Sequence, residues 1–301
     1  MKKVAVLMST YNGEEYIETQ IESILHQVGV EVAILVRDDG SSDKTVSILE
    51  KYKKNGELNW YSGCNLKPAK SFMDLIRNAP DADYYAFADQ DDYWKPQKLL
   101  RAVDKLENYN KEDPALYYSD TILVDRNLKP LNIKKINLGP FMTMGQAVIS
   151  SNATGCTMCF NKALQKIIKK YEPRHQIMHD GWIHKVCVSL NGNLYYDKKS
   201  YILYRQHSNN VVGGTSSFKK RWKARLNNLV HPTCERSKGI QELIKGYATN
   251  MPESNLKICK QVAQYKDNYI NRFKLLYNKE IRTNNLRIDI MYSIAIILGI
   301  F

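Results

Sequence analysis

The chain has 301 residues, enough for one large α/β domain or for one domain with a helical appendage. Its hydrophobic content of 44% and charged content of 25% are those of a soluble globular protein, and no stretch reaches the roughly 18 apolar residues of a membrane-spanning helix. The net charge of +13 is unevenly placed, because residues 218–301 hold 16 Lys and Arg against 6 Asp and Glu.

The first third of the chain alternates predicted strands with predicted helices. Four short, mainly apolar runs predict buried strands at 4–8, 32–36, 58–61 and 84–88. Apolar residues at helical spacing predict helices between them, at 16–25, 44–54 and 71–78. This βαβαβαβ order predicts an α/β fold with a mostly parallel, Rossmann-like sheet flanked by helices.

The remainder of the chain continues as mixed α/β structure and ends in a basic tail. Further helices are predicted at 96–110, 162–171 and 182–190, and short strands at 116–118, 122–124, 195–196 and 202–204. A Gly/Ser break at 213–217 divides the chain into a main domain, residues 1–217, and a basic, mostly helical C-terminal extension, residues 218–301.

An acidic run, Asp89-Gln90-Asp91-Asp92, directly follows the fourth predicted strand. Three carboxylates this close raise one another's pKa unless a cation neutralises them, and a divalent ion such as Mg²⁺ takes carboxylates together with substrate phosphates. The loops at 9–13 and 37–43 also follow strands, and ligands of parallel sheets bind beyond the carboxyl ends of the strands. We therefore expect a metal–diphosphate site on a shared rim. The alternative is an acidic turn that only ends the strand.

Six motifs together resemble family 2 glycosyltransferases of the GT-A type, over about residues 3–215. They are Ser9-Thr10-Tyr11-Asn12-Gly13, residues 36–45 around Asp38-Asp39-Gly40-Ser41, Asp89-Gln90-Asp91-Asp92-Tyr93-Trp94, residues 151–158, His179-Asp180-Gly181-Trp182 and Tyr204-Arg205-Gln206-His207 with residues 208–210. The forms of the third, fifth and sixth motifs are similar to those of bacterial rhamnosyltransferases.

The resemblance implies a set of donor contacts. The implied nucleotide-sugar-binding residues are Thr10, Tyr11, Asn12, Glu14, Asp38, Asp39, Lys70, Asp89, Gln90 and Arg205. The implied ligands of Mg²⁺ or Mn²⁺ are Asp91 and His207, with Asp92 supporting them. The alternatives are a turn-forming Asp pair at 38–39 and a solvated surface lysine at 70.

The resemblance also implies the catalytic residue and the acceptor region. Asp180 matches the general base that takes the proton of the incoming hydroxyl in an inverting displacement; its alternative role is a helix N-cap. The implied acceptor or sugar region contains Trp94, Gly155, His179 and Trp182. Packing is the alternative for Trp94, and a tight turn is the alternative for Gly155.

The basic tail predicts an anionic partner. Residues 218–226 interleave Lys and Arg with Phe218 and Trp222, as in segments that lie on anionic membranes, and residues 290–301 form an apolar run too short to span one. A contact between copies of the chain and packing on the main domain are the alternatives. No nucleic-acid-binding module is recognised.

These features lead to one functional expectation and one alternative. The resemblance implies a metal-dependent inverting hexosyltransferase, peripheral on the cytoplasmic face of the cell membrane, which moves a sugar from a nucleotide-diphosphate donor to a lipid-linked cell-surface polysaccharide. The specific sugar that we expect is L-rhamnose, from dTDP-rhamnose. The cysteine spacing, with one Cys-x-x-Cys pair at Cys156 and Cys159, agrees with free thiols in a reducing cytosol. The alternative is a non-catalytic nucleotide-sugar-binding scaffold subunit.

Overall fold

The computed structural model describes residues 1–133, 139–151, 153–175, 178–207, 236–283 and 285–301. The strands are β1 Lys2–Thr10, β2 Val30–Asp38, β3 Asn59–Ser62, β4 Tyr84–Asp89, β5 Tyr93–Trp94, β6 Ala115–Ser119, β7 Ile122–Val124, β8 Cys159–Asn161, β9 Asn193–Asp197 and β10 Ile202–Arg205. The helices are α1 Ile17–Leu25, α2 Thr45–Lys54, α3 Lys67–Asn78, α4 Lys98–Leu106, α5 Met144–Ile149, α6 Lys162–Lys169, α7 His179–Ser189, α8 Arg236–Tyr247, α9 Glu253–Ala263, α10 Tyr269–Leu276 and α11 Leu286–Ile297.

Seven of these strands form the central sheet, in the order β3-β2-β1-β4-β8-β6-β9. Strands β1 to β4 are mutually parallel, and β8 runs antiparallel between β4 and β6. Ser9 pairs with Arg37 on one side and with Asp89 on the other. The three strands therefore end level with one another, which places the three following loops on one rim. The predicted mostly parallel α/β sheet is confirmed.

The sheet separates two apolar layers, because successive residues of a strand point to opposite faces. Val4, Val6 and Met8 of β1 pack in the layer that contains buried residues of α1, α2 and α4. Ala5 and Leu7 pack in the opposite layer, with buried residues of α3, α6 and α7. Near-continuous apolar strands of this kind are expected where helices cover both faces of a sheet.

A small second sheet, in the order β5-β10-β7, lies beside the central sheet. β10 pairs antiparallel with β5, where Ile202 faces Trp94, and parallel with β7, where Leu203 faces Ile122. The sequence predicted β7 and β10 but neither β5 nor this pairing. The pairing brings the end of β10 against the acidic run, because β5 follows that run directly.

The C-terminal helices pack on the main domain. Ile240 and Leu243 of α8, Cys259 of α9 and Tyr292 of α11 belong to the same apolar layer as α5 and α7. The predicted boundary between residues 217 and 218 and the basic segment 218–226 both lie outside the described residues. In the described part of the chain, no helix is both long enough and apolar enough to cross a membrane.

Candidate active site

Gln90 joins the acidic run to the loop that follows β1. Its Oε1 accepts hydrogen bonds from the Thr10 hydroxyl at 2.6 Å and from the Tyr11 N–H at 2.8 Å, and its Nε2 donates to the Tyr11 carbonyl at 3.2 Å. Gly13 is required beside it, because a Cβ there would lie 2.5 Å from Gln90 Oε1. The side chain of Gln90 thus fixes the relative positions of two rim loops.

Asn12 and Glu14 connect the first loop to the second. Asn12 lies in the left-handed region, with φ 48°, and its Oδ1 accepts from the Ser42 N–H at 2.9 Å. Glu14 accepts from the Lys44 N–H at 2.9 Å, and its own N–H donates to Asp43 at 3.0 Å. These contacts hold the loops that the sequence analysis assigned to the nucleotide.

The Asp38 and Asp39 carboxylates are buried and hydrogen-bonded within the protein. Asp38 accepts from the N–H groups of Gly40 and Ser41 and from the Ser41 hydroxyl. Asp39 accepts from the Leu66 N–H and the Ser71 hydroxyl, both at 3.1 Å, and forms an ion pair with Arg37. Both side chains are therefore already engaged by neighbouring groups. The contacts of Asp38 with Gly40 and Ser41 are those expected of a turn-forming aspartate, which was the alternative to nucleotide binding.

Asp91 and His207 meet across the rim. His207 Nε2 lies 2.7 Å from Asp91 Oδ2, and the His207 ring stacks on Tyr16 with 5.1 Å between ring centroids. Arg205 packs over the same Tyr16 ring at 4.5 Å, and its Nε donates to the Asp91 carbonyl at 2.7 Å. An open cleft of ≈ 520 Å³ adjoins this group, lined in part by Tyr16, Arg126 and Arg205.

Asp89 and Asp92 form a second acidic group with Cys156. Ligating atoms of the three side chains lie within 4.8 Å of one another. Burial, and then the charges of Asp91 and Asp180, raise the pKa of Asp89 to about 7. Burial and the charges of Asp91 and Asp89 also raise the pKa of Asp92 well above its usual range. The charge of the buried Lys98 interacts with Cys156 and Asp92, yet the pKa values of Asp89 and Asp92 stay raised.

The acidic run fits a divalent cation. Asp92 is fully buried, yet its Oδ2 has no hydrogen-bond partner among the described residues. Carboxylate oxygens suit Mg²⁺ and Mn²⁺, and an imidazole such as that of His207 suits transition metals. A cation here would satisfy the orphaned oxygen and offset the repulsion between the carboxylates.

Asp180 lies in the first turn of α7, opposite Gly155. Its Oδ2 accepts from the Gly155 N–H at 3.2 Å and its Oδ1 from the Gly181 N–H at 2.6 Å. A Cβ on Gly155 would lie 2.6 Å from His179 Nε2 and 3.5 Å from Asp180 Cβ. Gly155 therefore permits a close approach that a larger residue would block. Helix α7 begins after Met178, so Asp180 is not its N-cap.

The imidazole of His179 is buried beneath Asp180. It stacks on Phe72 with 4.0 Å between centroids and meets Phe87 edge-on at 5.0 Å. Burial lowers its pKa to about 4, so the ring is neutral near pH 7. Neither ring nitrogen has a hydrogen-bond partner among the described residues.

Comparison with known proteins identifies the family. Residues 5–172, more than half of the chain, match the family model described as glycosyl transferase family 2. The chain belongs to glycosyltransferase family 2. It is 31% identical over 232 residues to dTDP-rhamnosyl transferase RfbG of Shigella flexneri, an alignment that covers 72% of this chain and 77% of that protein.

Solved structures share the GT-A fold of this glycosyltransferase. Residues 1–349 of TarS from Staphylococcus aureus, in complex with UDP-GlcNAc, match with a TM-score of 0.53 at 16% identity, over 99% of this chain and 89% of that one. Mannosyltransferase PcManGT from Pyrobaculum calidifontis, in complex with GDP-Man and Mn²⁺, matches with a TM-score of 0.53 at 14% identity, over 99% and 80%. The chain spans 54% of the longer TarS chain.

Two tryptophans implied for the acceptor region are core residues in this glycosyltransferase. Trp94 is fully buried, and Lys98 Nζ lies 3.5 Å from its ring centroid. Trp182 is 4% exposed and packs on Tyr171 and Tyr247. Neither ring can form a wall of an open site, so the acceptor assignment is corrected for both. The physical reason is that the first faces the α1 and α4 layer and the second faces α8.

The remaining predicted positions divide between the rim and the surface. Lys70 lies exposed in α3. Motif positions 152 and 208–210 lie outside the described residues.

Four residues at the site were not predicted from the sequence. Tyr16 and Tyr204 flank the acidic run, and burial, followed by the charge of Asp89, raises the pKa of the Tyr204 phenol. Cys156 was interpreted as an ordinary buried thiol, although it follows Gly155 in a motif. Arg37 directly precedes Asp38-Asp39 at the end of a predicted strand. An arginine beside two aspartates was the sequence signal that could have identified its ion pair with Asp39.

Proposed function

We propose that this glycosyltransferase is a metal-dependent, inverting enzyme that uses a nucleotide-diphosphate sugar. The specific donor proposed is dTDP-rhamnose, and the acceptor is a hydroxyl of a lipid-linked cell-surface polysaccharide at the inner face of the membrane. The observation that carries the proposal is the meeting of Asp89, Asp91, Asp180 and His207 on one rim, where burial together with the charges of Asp91 and Asp180 raises the pKa of Asp89.

The residues of the acidic run are proposed to hold the donor diphosphate. Asp91 and His207 would bind the cation, with Asp89 and Asp92 beside them. A bound cation would neutralise charge that builds up on the leaving nucleotide diphosphate. Arg205 fixes the main chain at Asp91 and the Asp92 side chain, through its Nε and its N–H respectively. It is thus placed to keep the carboxylates oriented.

Asp180 is proposed as the general base. An inverting transfer needs a carboxylate that takes the proton of the attacking hydroxyl on the face opposite the leaving group. The N–H groups of Gly155 and Gly181 hold the two Asp180 oxygens in one orientation at the start of α7. A helix end is a rigid platform for such a group. The neutral His179 ring below supports the same turn by packing.

The identity of the sugar and of the acceptor is supported by similarity alone. The motif forms are similar to those of rhamnosyltransferases, and RfbG of Shigella flexneri is described as a dTDP-rhamnosyl transferase. The excess of 16 Lys and Arg over 6 Asp and Glu in residues 218–301 supports an anionic membrane surface as a partner.

A donor-hydrolysis screen tests the proposal. The purified protein is incubated with dTDP-rhamnose and with UDP-, GDP- and dTDP-linked hexoses, each with Mg²⁺, Mn²⁺ or EDTA, and release of the nucleoside diphosphate is measured. We expect fastest release from dTDP-rhamnose and none in EDTA. Release from another donor would change the sugar assignment only. No release from any donor, together with retained nucleotide binding, would favour the scaffold alternative.

A further inference from the structure

Helices α10 and α11 expose an unusual number of large apolar side chains. On α10 and just after it, these are Tyr269, Ile270, Phe273 and Tyr277, each between 59% and 76% exposed. On α11 and just after it, they are Leu286, Ile290, Met291, Ile294, Ile297 and Leu298, between 45% and 76% exposed. Spacings of three and four residues place the members of each set along one side of their helix.

Helix α11 is apolar on both of its sides. Tyr292, Ala295 and Ile296 pack into the core, and Ile290, Ile294 and Ile297 face outwards. A helix that is apolar all round is usually buried on all sides, and monomeric proteins rarely expose large contiguous apolar patches. The outward side of α11 therefore has the composition of a surface that contacts something other than water.

The two exposed sides belong to one region of the surface. α10 packs directly against α11, and Arg272 of α10 lies so close to the end of α11 that a Cβ on Gly299 would be 3.0 Å from its Nη2. The Arg272 guanidinium also covers the Tyr269 ring at 5.3 Å. Aromatic side chains are thus interleaved with a cationic one beside the apolar side of α11.

The charges around this region are mainly positive. Between residues 266 and 298 the chain has six basic residues, Lys266, Arg272, Lys274, Lys279, Arg282 and Arg287, and three acidic ones, Asp267, Glu280 and Asp289. A groove between α9 and α10 is lined by Lys257, Lys260, Lys274 and Tyr277. Basic residues next to exposed Ile, Leu, Phe and Tyr match an anionic lipid interface, where headgroups meet the cations and acyl chains meet the apolar side chains. Two copies of the same basic face would repel each other.

We propose that α10 and α11 together form a docking face for an anionic lipid bilayer. The helices lie in the interface without crossing it, with the outward side of α11 below the headgroups and Lys257, Lys260 and Lys274 at the level of the phosphates. The proposal rests on the proposed function in one respect. A lipid-linked acceptor is presented at such a surface, which is why the enzyme would dock there. The sequence predicted a membrane contact at residues 218–226. The proposal assigns that contact instead to α10 and α11, which lie within the described residues.

Vesicle flotation of the full chain tests the docking face. Vesicles of phosphatidylcholine with phosphatidylglycerol are compared with vesicles of phosphatidylcholine alone. The test variant Ile290→Asn/Ile297→Asn changes two exposed side chains of α11. The matched control Val28→Asn/Ile133→Asn changes two exposed apolar side chains elsewhere on the protein. Circular dichroism melting establishes that both variants remain folded.

We expect the wild type and the control to float with the anionic vesicles and to be released by salt. The test variant should lose at least about tenfold in partitioning, because two apolar side chains no longer enter the interface. Lys257→Glu/Lys274→Glu should weaken binding to the anionic vesicles and leave any binding to pure phosphatidylcholine vesicles unchanged. Equal flotation of the wild type and the test variant would overturn the proposal. So would a wild-type dimer that ignores vesicles and dissociates in the test variant, since the face would then join two copies.

Donor hydrolysis in solution separates this proposal from the proposed function. None of the four substituted apolar residues contacts the acidic run, so hydrolysis should be unchanged in both variants. Vesicle binding without hydrolysis would contradict the catalytic assignment and leave the docking face standing. Hydrolysis without vesicle binding would contradict the docking face and leave the catalytic assignment standing.

Discussion

Two acidic segments end the parallel strands on either side of β1, on the same rim, yet their surroundings differ. Asp38 and Asp39 are buried and receive hydrogen bonds from N–H and hydroxyl groups, and Asp39 also pairs with Arg37. Asp89 and Asp92 are crowded by Asp91, and one oxygen of Asp92 has no partner among the described residues. The difference shows that a position at the end of a strand does not decide by itself how far the protein satisfies a carboxylate.

The physical cause is the cost of burying a carboxylate. A buried charge is tolerated when it is paired and hydrogen-bonded, and otherwise it takes up a proton or binds a cation. The segment at 38–39 meets this requirement from its own loop and from α3, whereas the carboxyl groups at 89–92 are left to take up a proton or to bind a cation. The first is therefore expected to support the fold, and the second to support chemistry.

The largest effect is expected at Asp180, the proposed general base, whose charge acts on Asp89 of the same rim. Asp180→Asn should keep donor binding and lower the rate of transfer about 100- to 10,000-fold, because an amide cannot accept the acceptor proton. The measurement is single-turnover transfer alongside nucleotide binding by calorimetry. Asp104→Asn, an exposed change in α4, is the matched control. Normal turnover of Asp180→Asn would exclude this residue as the base.

The next largest effect is expected at Asp91, whose carboxylate lies beside His207 in the crowded acidic run. Asp91→Asn should lower donor turnover about 100- to 1,000-fold and weaken Mn²⁺ binding, because a ligand of the charge-stabilising cation is lost. Turnover is measured against Mn²⁺ concentration. An unchanged Mn²⁺ dependence would show that the cation, if used, binds elsewhere.

Substitution of Asp39 should lower the free energy of unfolding rather than the rate of transfer. Asp39→Asn removes one of the two carboxylates that pair with the buried Arg37 and leaves only that of Asp74, and breaking a buried pair costs about 3 kcal/mol of unfolding free energy. Urea unfolding measures this loss, with Asp104→Asn again as the control. If stability is unchanged while nucleotide binding is abolished, the comparison of the two segments fails, because Asp39 would then be a ligand-binding residue.

The smallest effect concerns pH. The folded-state pKa of Asp89, about 7, lies above its ordinary value of 3.8. The protonated group therefore favours the folded state at low pH, and this stability is lost as the pH rises through about 7. A bound cation should restore this stability at high pH. Mn²⁺ should therefore raise the melting temperature more at pH 8 than at pH 5, and the difference should correspond to about 1–2 kcal/mol of unfolding free energy. Equal gains at the two pH values would contradict the crowding of the acidic run.

Much of the fold was predictable because it depends on local patterns. The apolar runs at 4–8 and 84–88 lie within β1 and β4, and the helical spacing at 16–25 and 44–54 matches α1 and α2 within a residue. The rim also followed from the strand order, since the carboxyl ends of parallel strands share an edge. Strand β5 and the antiparallel β8 were missed: two residues carry no periodic signal, and Cys159–Asn161 lacks the run of β-branched and aliphatic residues that marked the equally short β7.

The sequence alone determined the family, the α/β order and the rim on which the acidic run lies, since motifs and periodicity are properties of neighbouring residues. Only the tertiary structure decided which carboxylates are satisfied and that Trp94 and Trp182 are core residues. It also decided which apolar side chains of α11 stay exposed among the described residues. The reason is that burial and pairing depend on residues far apart in the chain, such as Asp39 and Ser71, whose proximity no local pattern encodes.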